Sequence, residues 1–349
     1  MIRRLTIVAL LVTGLAVVAA PSPASAAGTC SRNGETLRLV GTRRGVTLDR
    51  DGRDLVVTGV DGPSCDGNTI TNTRHIVVSA PVSATVRVVV RGGGFDPRCC
   101  GSTLIDLRFR GRVVVQRVGR SASFIATAAG IRLDAGRDFE IVGGPWRELV
   151  LDGDEGDDVL SGRPRIGGDY PGDLVLRGHG GDDSLLGSAG DDLLYGGPGL
   201  DTLTGGLGFD RVWGGDDDDY LHVASGGDEL FGGAGTDLVE SILGASTFDL
   251  PGGTATSPVG TAELHGIEGA SGSNGDDTFI GDDGPNLFYG WGGDDHADGA
   301  GGDDVLQGGN GGDELVGGIG DDELDGGNQV DSCDAGVDAG DTEVNCELP

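Results

Sequence analysis

Two spacings of apolar residues divide the chain. Between residues 28 and 150 apolar and polar residues alternate in short runs, among them Leu37-Arg38-Leu39-Val40, Asp54-Leu55-Val56-Val57, Val86-Arg87-Val88-Val89-Val90, Arg112-Val113-Val114-Val115 and Phe139-Glu140-Ile141-Val142. Gly, Asp, Pro and Ser separate the runs. A period of two is that of a strand with one buried face, and no helical period stands out. Residues 27–150 are therefore expected to form a β-rich domain, either a coarse β-helix continuing into the C-terminal half or a separate sandwich. The whole chain reads as all-β.

Beyond residue 177 the interval becomes nine. Residues 178–240 divide into seven blocks, from GHGGDDSLL to GGAGTDLVE. Position six is Asp in each: Asp183, Asp192, Asp201, Asp210, Asp219, Asp228 and Asp237. Position eight is Leu185, Leu194, Leu203, Val212, Leu221, Leu230 and Val239. A second run of seven blocks covers 272–334, with Asp277, Asn286, Asp295, Asp304, Asp313, Asp322 and Asp331 at position six. Its position eight is Phe279, Phe288, Ala297, Leu306, Leu315, Leu324 and Cys333. The two starts, Gly178 and Gly272, are not a multiple of nine apart, so the register breaks within 241–271. An isolated block spans 153–161, and 151–177 reads as degenerate repeats.

The residue types suit a turn followed by a short strand. Glycine permits a positive φ and close approach of backbone to an ion. Aspartate supplies a hard oxygen, and turn carbonyls supply more, the donor set calcium takes. The last three positions form a strand whose apolar residue points inward. Two blocks make one coil of 18 residues, and strands of successive coils pair in parallel about 4.8 Å apart. Aspartates 18 apart then share an edge.

These blocks resemble the RTX, or haemolysin-type, nonapeptide GGxGxDxUx. The resemblance implies a parallel β-roll, or β-helix solenoid, with calcium between stacked turns. It implies metal ligands at Asp183, Asp192, Asp201, Asp210, Asp219, Asp228, Asp237, Asp277, Asp295, Asp304, Asp313 and Asp322. Several ions are implied, at most ten, with the second array poorer because Asn286 and Gln329 break its pattern. Short strand-rich insertions between arrays are familiar in this family, and residues 241–271 are expected to be such a connector. Each coil buries only two small apolar side chains. At roughly 1.5–3 kcal/mol each, they do not offset about 1–2 kcal/mol of backbone entropy per residue. Folding of the acidic half is expected to require calcium.

Charge sharpens the division. Residues 1–150 hold 20 arginines and 12 acids, whereas residues 151–349 hold 4 arginines and 45 acids. The net charge of the 349-residue chain is −33, with 70 glycines and no lysine. Such a balance excludes nucleic-acid binding, which needs a basic footprint. Arg3 and Arg4, the apolar run Leu5–Ala20 and the small residues up to Ala26 have the layout of a secretory leader over 1–26. No other segment is long and apolar enough for a transmembrane helix. An exported chain with an even number of cysteines favours disulfides. Cys333 and Cys346 lie far from the rest and are expected to pair, closing a cap over 335–349. The pairing of Cys30, Cys65, Cys99 and Cys100 stays open.

No HExxH, GxSxG or phosphate-cradling motif occurs. The expected function is a secreted, extracellular, non-enzymatic calcium-binding scaffold or interaction module, whose partners are calcium ions and a cell-wall or extracellular polymer. The alternative places a carbohydrate-active enzyme or adhesin in the N-terminal β-domain, with Asp106, Asp134 and Asp138 as residues to mutate.

Overall fold

The computed structural model describes strand backbones between residues 29 and 148, and side chains at Val115, 149–153, 155–163, 169–241 and 244–347. The secretory leader, the side chains of Cys30, Cys65, Cys99, Cys100 and Asp106, and Asp134 and Asp138 lie outside the described residues. The described residues are all-β and fall into two compact units, residues 1–179 and 180–349.

In the first unit the alternating runs pair in parallel. Thr36–Val40 pairs with His75–Ser79, that strand with Thr103–Leu107, and that one with Phe139–Gly143. A second series runs Val46–Asp51, Thr85–Arg91, Arg112–Val118, Glu148–Asp152 and Leu174–Arg177. The steps are uneven, with Thr85 opposite Arg112 but Arg112 opposite Glu148. Of the two expected architectures, this is the coarse β-helix. Antiparallel hairpins decorate it, such as Val46–Asp51 with Asp54–Thr58 and Ser123–Thr127 with Gly130–Leu133.

In the second unit the step is regular. On one sheet Ser184–Leu186, Thr202–Thr204, Tyr220–His222 and Leu238–Glu240 pair in parallel. On the other, Leu193–Pro198, Arg211–Asp216 and Glu229–Ala234 do the same. Leu194, Leu203, Leu221, Phe279, Phe288, Leu306, Leu315 and Leu324, all position-eight residues, are fully buried between the sheets. Alternation within a three-residue strand sends positions seven and nine outward.

The register break is absorbed within the stack. Glu229 lies opposite Glu263, Leu238 opposite Gly269 and Thr247 opposite Thr278. The extra residues form an antiparallel ribbon of Thr247–Asp249, Thr254–Ser257 and Gly260–His265, with Phe248 buried beneath it. The parallel pairing then resumes through Leu287–Gly292, Val305–Asn310 and Glu323–Asn328. At the far end Thr342–Val344 pairs with Glu323–Asn328, and Cys333 is bridged to Cys346.

Candidate metal centres

Each position-six aspartate is buried, although it lies on a turn. Asp192, Asp201, Asp219 and Asp237 are wholly inaccessible, and Asp210, Asp228, Asp277, Asp304, Asp322 and Asp331 nearly so. One carboxylate oxygen ties successive coils. Oδ1 of Asp201 accepts the backbone N–H of Asp183 at 2.8 Å, and Asp219 accepts that of Asp201 at 2.8 Å. The same bond recurs from Asp192 to Asp210, Asp210 to Asp228, Asp219 to Asp237, Asp277 to Asp295, Asp295 to Asp313 and Asp304 to Asp322. The side chain thus replaces the ladder bond a tight turn cannot make.

The second oxygen is the informative one. Oδ2 of Asp201, Asp210, Asp219, Asp237, Asp295, Asp304, Asp313, Asp322 and Asp331 is buried and has no hydrogen-bond partner. Burying an unpaired charged oxygen is costly. In these nine blocks position two has a positive φ: Gly197, Gly206, Gly215, Gly233, Trp291, Ala300, Gly309, Gly318 and Gly327. Where that torsion is absent, the oxygen is filled internally. Ser188 and Ser273 donate their backbone N–H to Oδ2 of Asp192 and Asp277, and Asp282 donates its own to Oδ1 of Asn286. Asp228 likewise accepts from the N–H of Ser225 at 3.2 Å. A left-handed residue at position two therefore keeps a carboxylate oxygen open.

That torsion also exposes carbonyls. A Cβ on Gly215 would collide with the carbonyl of Gly197 one coil earlier, and one on Gly196 would collide with Oδ2 of Asp201. Carbonyl and carboxylate oxygens therefore crowd the turn edge around these glycines. Among the described residues no three His, Cys, Asp or Glu side chains converge as a metal group. A cation at these edges would be held by one or two carboxylates and by backbone carbonyls. This all-oxygen set suits calcium rather than a transition metal.

The family model of the RTX calcium-binding nonapeptide repeat matches residues 150–163, 177–212, 195–230, 213–241, 271–306 and 307–340. The repeat region is an RTX-type β-roll. No curated protein matches the chain. The β-roll geometry and the repeat agree on calcium binding: orphaned buried oxygens fit a hard cation, which when bound would neutralise charge and tie the turns.

Electrostatics in the β-roll points the same way. Burial pushes Asp219 up to about 8, Asp210, Asp295 and Asp304 to about 7, and Asp201 and Asp237 to about 6. Their backbone hydrogen bonds pull the other way, and nearby aspartates add to the rise, as Asp201 and Asp237 do at Asp219. Burial also raises Asp228, Asp277, Asp313 and Asp322. Without a cation these carboxylates resist ionising.

The structure places the twelve expected ligands on the two turn edges, but in unequal states. Asp201, Asp210, Asp219, Asp237, Asp295, Asp304, Asp313 and Asp322 carry open oxygens, whereas Asp192, Asp228 and Asp277 have theirs filled. Asp183 is buried and donates its N–H to Asp201. Asp331, at the end of the second array, joins the open group.

Several residues of the β-roll carry roles that the nonapeptide alone does not announce. Position five forms a second, exposed ladder running the other way. Asp182, Asp191, Asp218, Asp276, Asp294 and Asp303 each accept an N–H from the residue 18 positions later. The recurring Asp-Asp doublet is its trace in the sequence. At the insertion Glu268 takes the place of an aspartate and accepts the N–H of Asp237 at 2.9 Å. At the end of the stack Asp341 and Glu347 accept the N–H groups of Asp322 and Asp331. No period marks these three.

Proposed function

We propose that the chain is a secreted, non-enzymatic scaffold or interaction module whose repeats fold around calcium in the extracellular space. The observation that carries this reading is the set of nine buried, unpartnered carboxylate oxygens on the turn edges. They give an ion a donor that no protein group bonds, and a reason for the turns to be unstable without it. Secretion is supported by the kind of repeat and by the Cys333–Cys346 bridge, since disulfides persist in oxidising compartments. Extracellular calcium modules bind at about 10⁻⁴–10⁻³ M, so such a module stays unfolded until export. Among the described residues these open oxygens are the donors offered to the ions, one or two to each ion. Isothermal titration calorimetry of the full chain tests this. Several calcium ions with a steep isotherm, and no comparable uptake of magnesium, are expected. An absence of calcium uptake overturns the reading.

A further inference from the structure

Beside one turn edge, an open groove of about 520 Å³ lies on the outer face of the second unit, on the sheet that also carries Tyr220–His222. It crosses the strands Gly269–Ser271, Leu287–Gly292, Val305–Asn310 and Glu323–Asn328. Parallel register sets Ser271, Tyr289 and Gln307 in one row, and Trp291, Gly309 and Gly327 in the next. Three strand spacings of about 4.8 Å make this stretch roughly 14 Å long.

Trp291 is the unusual member. It occupies position two of its block, the place of glycine in half of the blocks, and holds φ 72°. It is nevertheless 62% exposed. A bulky residue kept in a left-handed turn and not buried gains nothing for the core, and such outliers cluster at functional sites. Its Nε1–H donates to Oγ of Ser271 at 2.9 Å, which fixes the ring. Beside it Gly309 and Gly327 leave bare backbone as a floor. Tyr220 and Tyr289 add aromatic walls, and Gln307, Asn310 and Asn328 add amides. Asn328 Nδ2 donates to Asn310 Oδ1 at 2.9 Å, which aligns two of those amides.

No lining residue is charged. This stands out because residues 151–349 hold 45 acids and 4 arginines. The surrounding field repels a polyanion, and a cation finds its oxygens at the turn edges instead. Amides both donate and accept, which matches hydroxyl groups, and aromatic rings match the C–H face of a pyranose. A groove that is long, open, aromatic and neutral fits an extended chain of such units.

We propose that this groove binds a neutral glycan chain, with Trp291 as its stacking platform. The proposal rests on the reading of the repeats as a calcium-held extracellular module. The test uses the full chain in saturating calcium, its folding followed separately by far-UV circular dichroism. Failure of the calcium reading then shows as a missing fold rather than missing binding. Cellohexaose, chitohexaose, mannohexaose and maltohexaose are titrated against hexagalacturonate, with indole fluorescence and calorimetry as readouts. At least one neutral hexamer is expected to bind and shift the emission, with hexagalacturonate at least tenfold weaker. Trp291→Gly is expected to weaken that binding at least tenfold while leaving the melting temperature unchanged or higher, because it restores the glycine of the repeat. Gln307→Ala is expected to weaken it severalfold. Binding by none of the four neutral hexamers, or equal binding by Trp291→Gly, overturns the proposal.

Discussion

Asp219 and Asp277 stand at the same position of their blocks, yet one presents an open oxygen and the other does not. The difference is a backbone torsion four residues earlier: Gly215 has φ 143°, whereas Ser273 turns its N–H onto the carboxylate. Asp219→Asn is therefore expected to remove about one calcium ion from the stoichiometry, and Asp277→Asn close to none; calorimetry reads both. Asn286 shows that an amide fits this slot without upsetting the coil, because its Oδ1 accepts the N–H of Asp282 and its Nδ2 donates to the carbonyl of Glu268. Gln329 is the converse case. It holds φ 92° at a position-four site, a conformation that costs an L-residue about 1–2 kcal/mol. Gln329→Gly should stabilise the calcium-bound chain by about 1 kcal/mol, seen as a higher denaturant midpoint. No gain at all would mean that the turn gains an offsetting contact from the glutamine.

At the scale of elements, the nine-residue period makes the strands, the inward row and the position-six aspartates legible in the sequence. Leu194, Leu203 and Leu324 sit where the period puts them. What it left out depends on stacking. Whether Asp201 reaches up or down, and whether Asp182 bonds the coil after it, is decided between residues 18 apart. A linear pattern carries no direction for such a bond. Glu268, Asp341 and Glu347 escape the period because the insertion and the tail have left it, although they satisfy the same N–H groups. In the first unit the alternation left a sandwich and a coarse β-helix equally open, since both show a period of two. Only the parallel register of strands such as Thr85–Arg91 and Arg112–Val118 separates them. The end of the stack carries its own prediction. Cys333 and Cys346 are 13 residues apart, and a loop of that size is worth up to about 3 kcal/mol in a chain-entropy account. Cys346→Ser should loosen the terminal coil first. Hydrogen exchange at Thr342–Val344 is then expected to quicken while the strands around Leu203 keep their protection.

For the whole molecule, the raised aspartates set the sign of the pH dependence. An unfolded aspartate releases its proton near 3.8, whereas the buried ones hold theirs to about 6–8. Between those limits the folded, metal-free chain binds more protons than the unfolded chain, so its stability falls as pH rises. Calcium binds the ionised form and competes with those protons, so its own stabilisation grows over the same range. In chelator the chain is thus expected to hold more β-structure at about pH 5 than at about pH 8, read by far-UV circular dichroism, and calcium to add more of it at the higher pH. The same chelated spectrum at both pH values would show that the carboxylates are not buried as described. The most direct test of calcium-driven folding is far-UV circular dichroism of the full chain, first in chelator, then through a calcium titration, with magnesium as control. The account predicts a cooperative gain of β-structure with calcium and none with magnesium. A spectrum that is the same in chelator and in calcium would contradict it, and would make the solenoid a structure that stands without its ions.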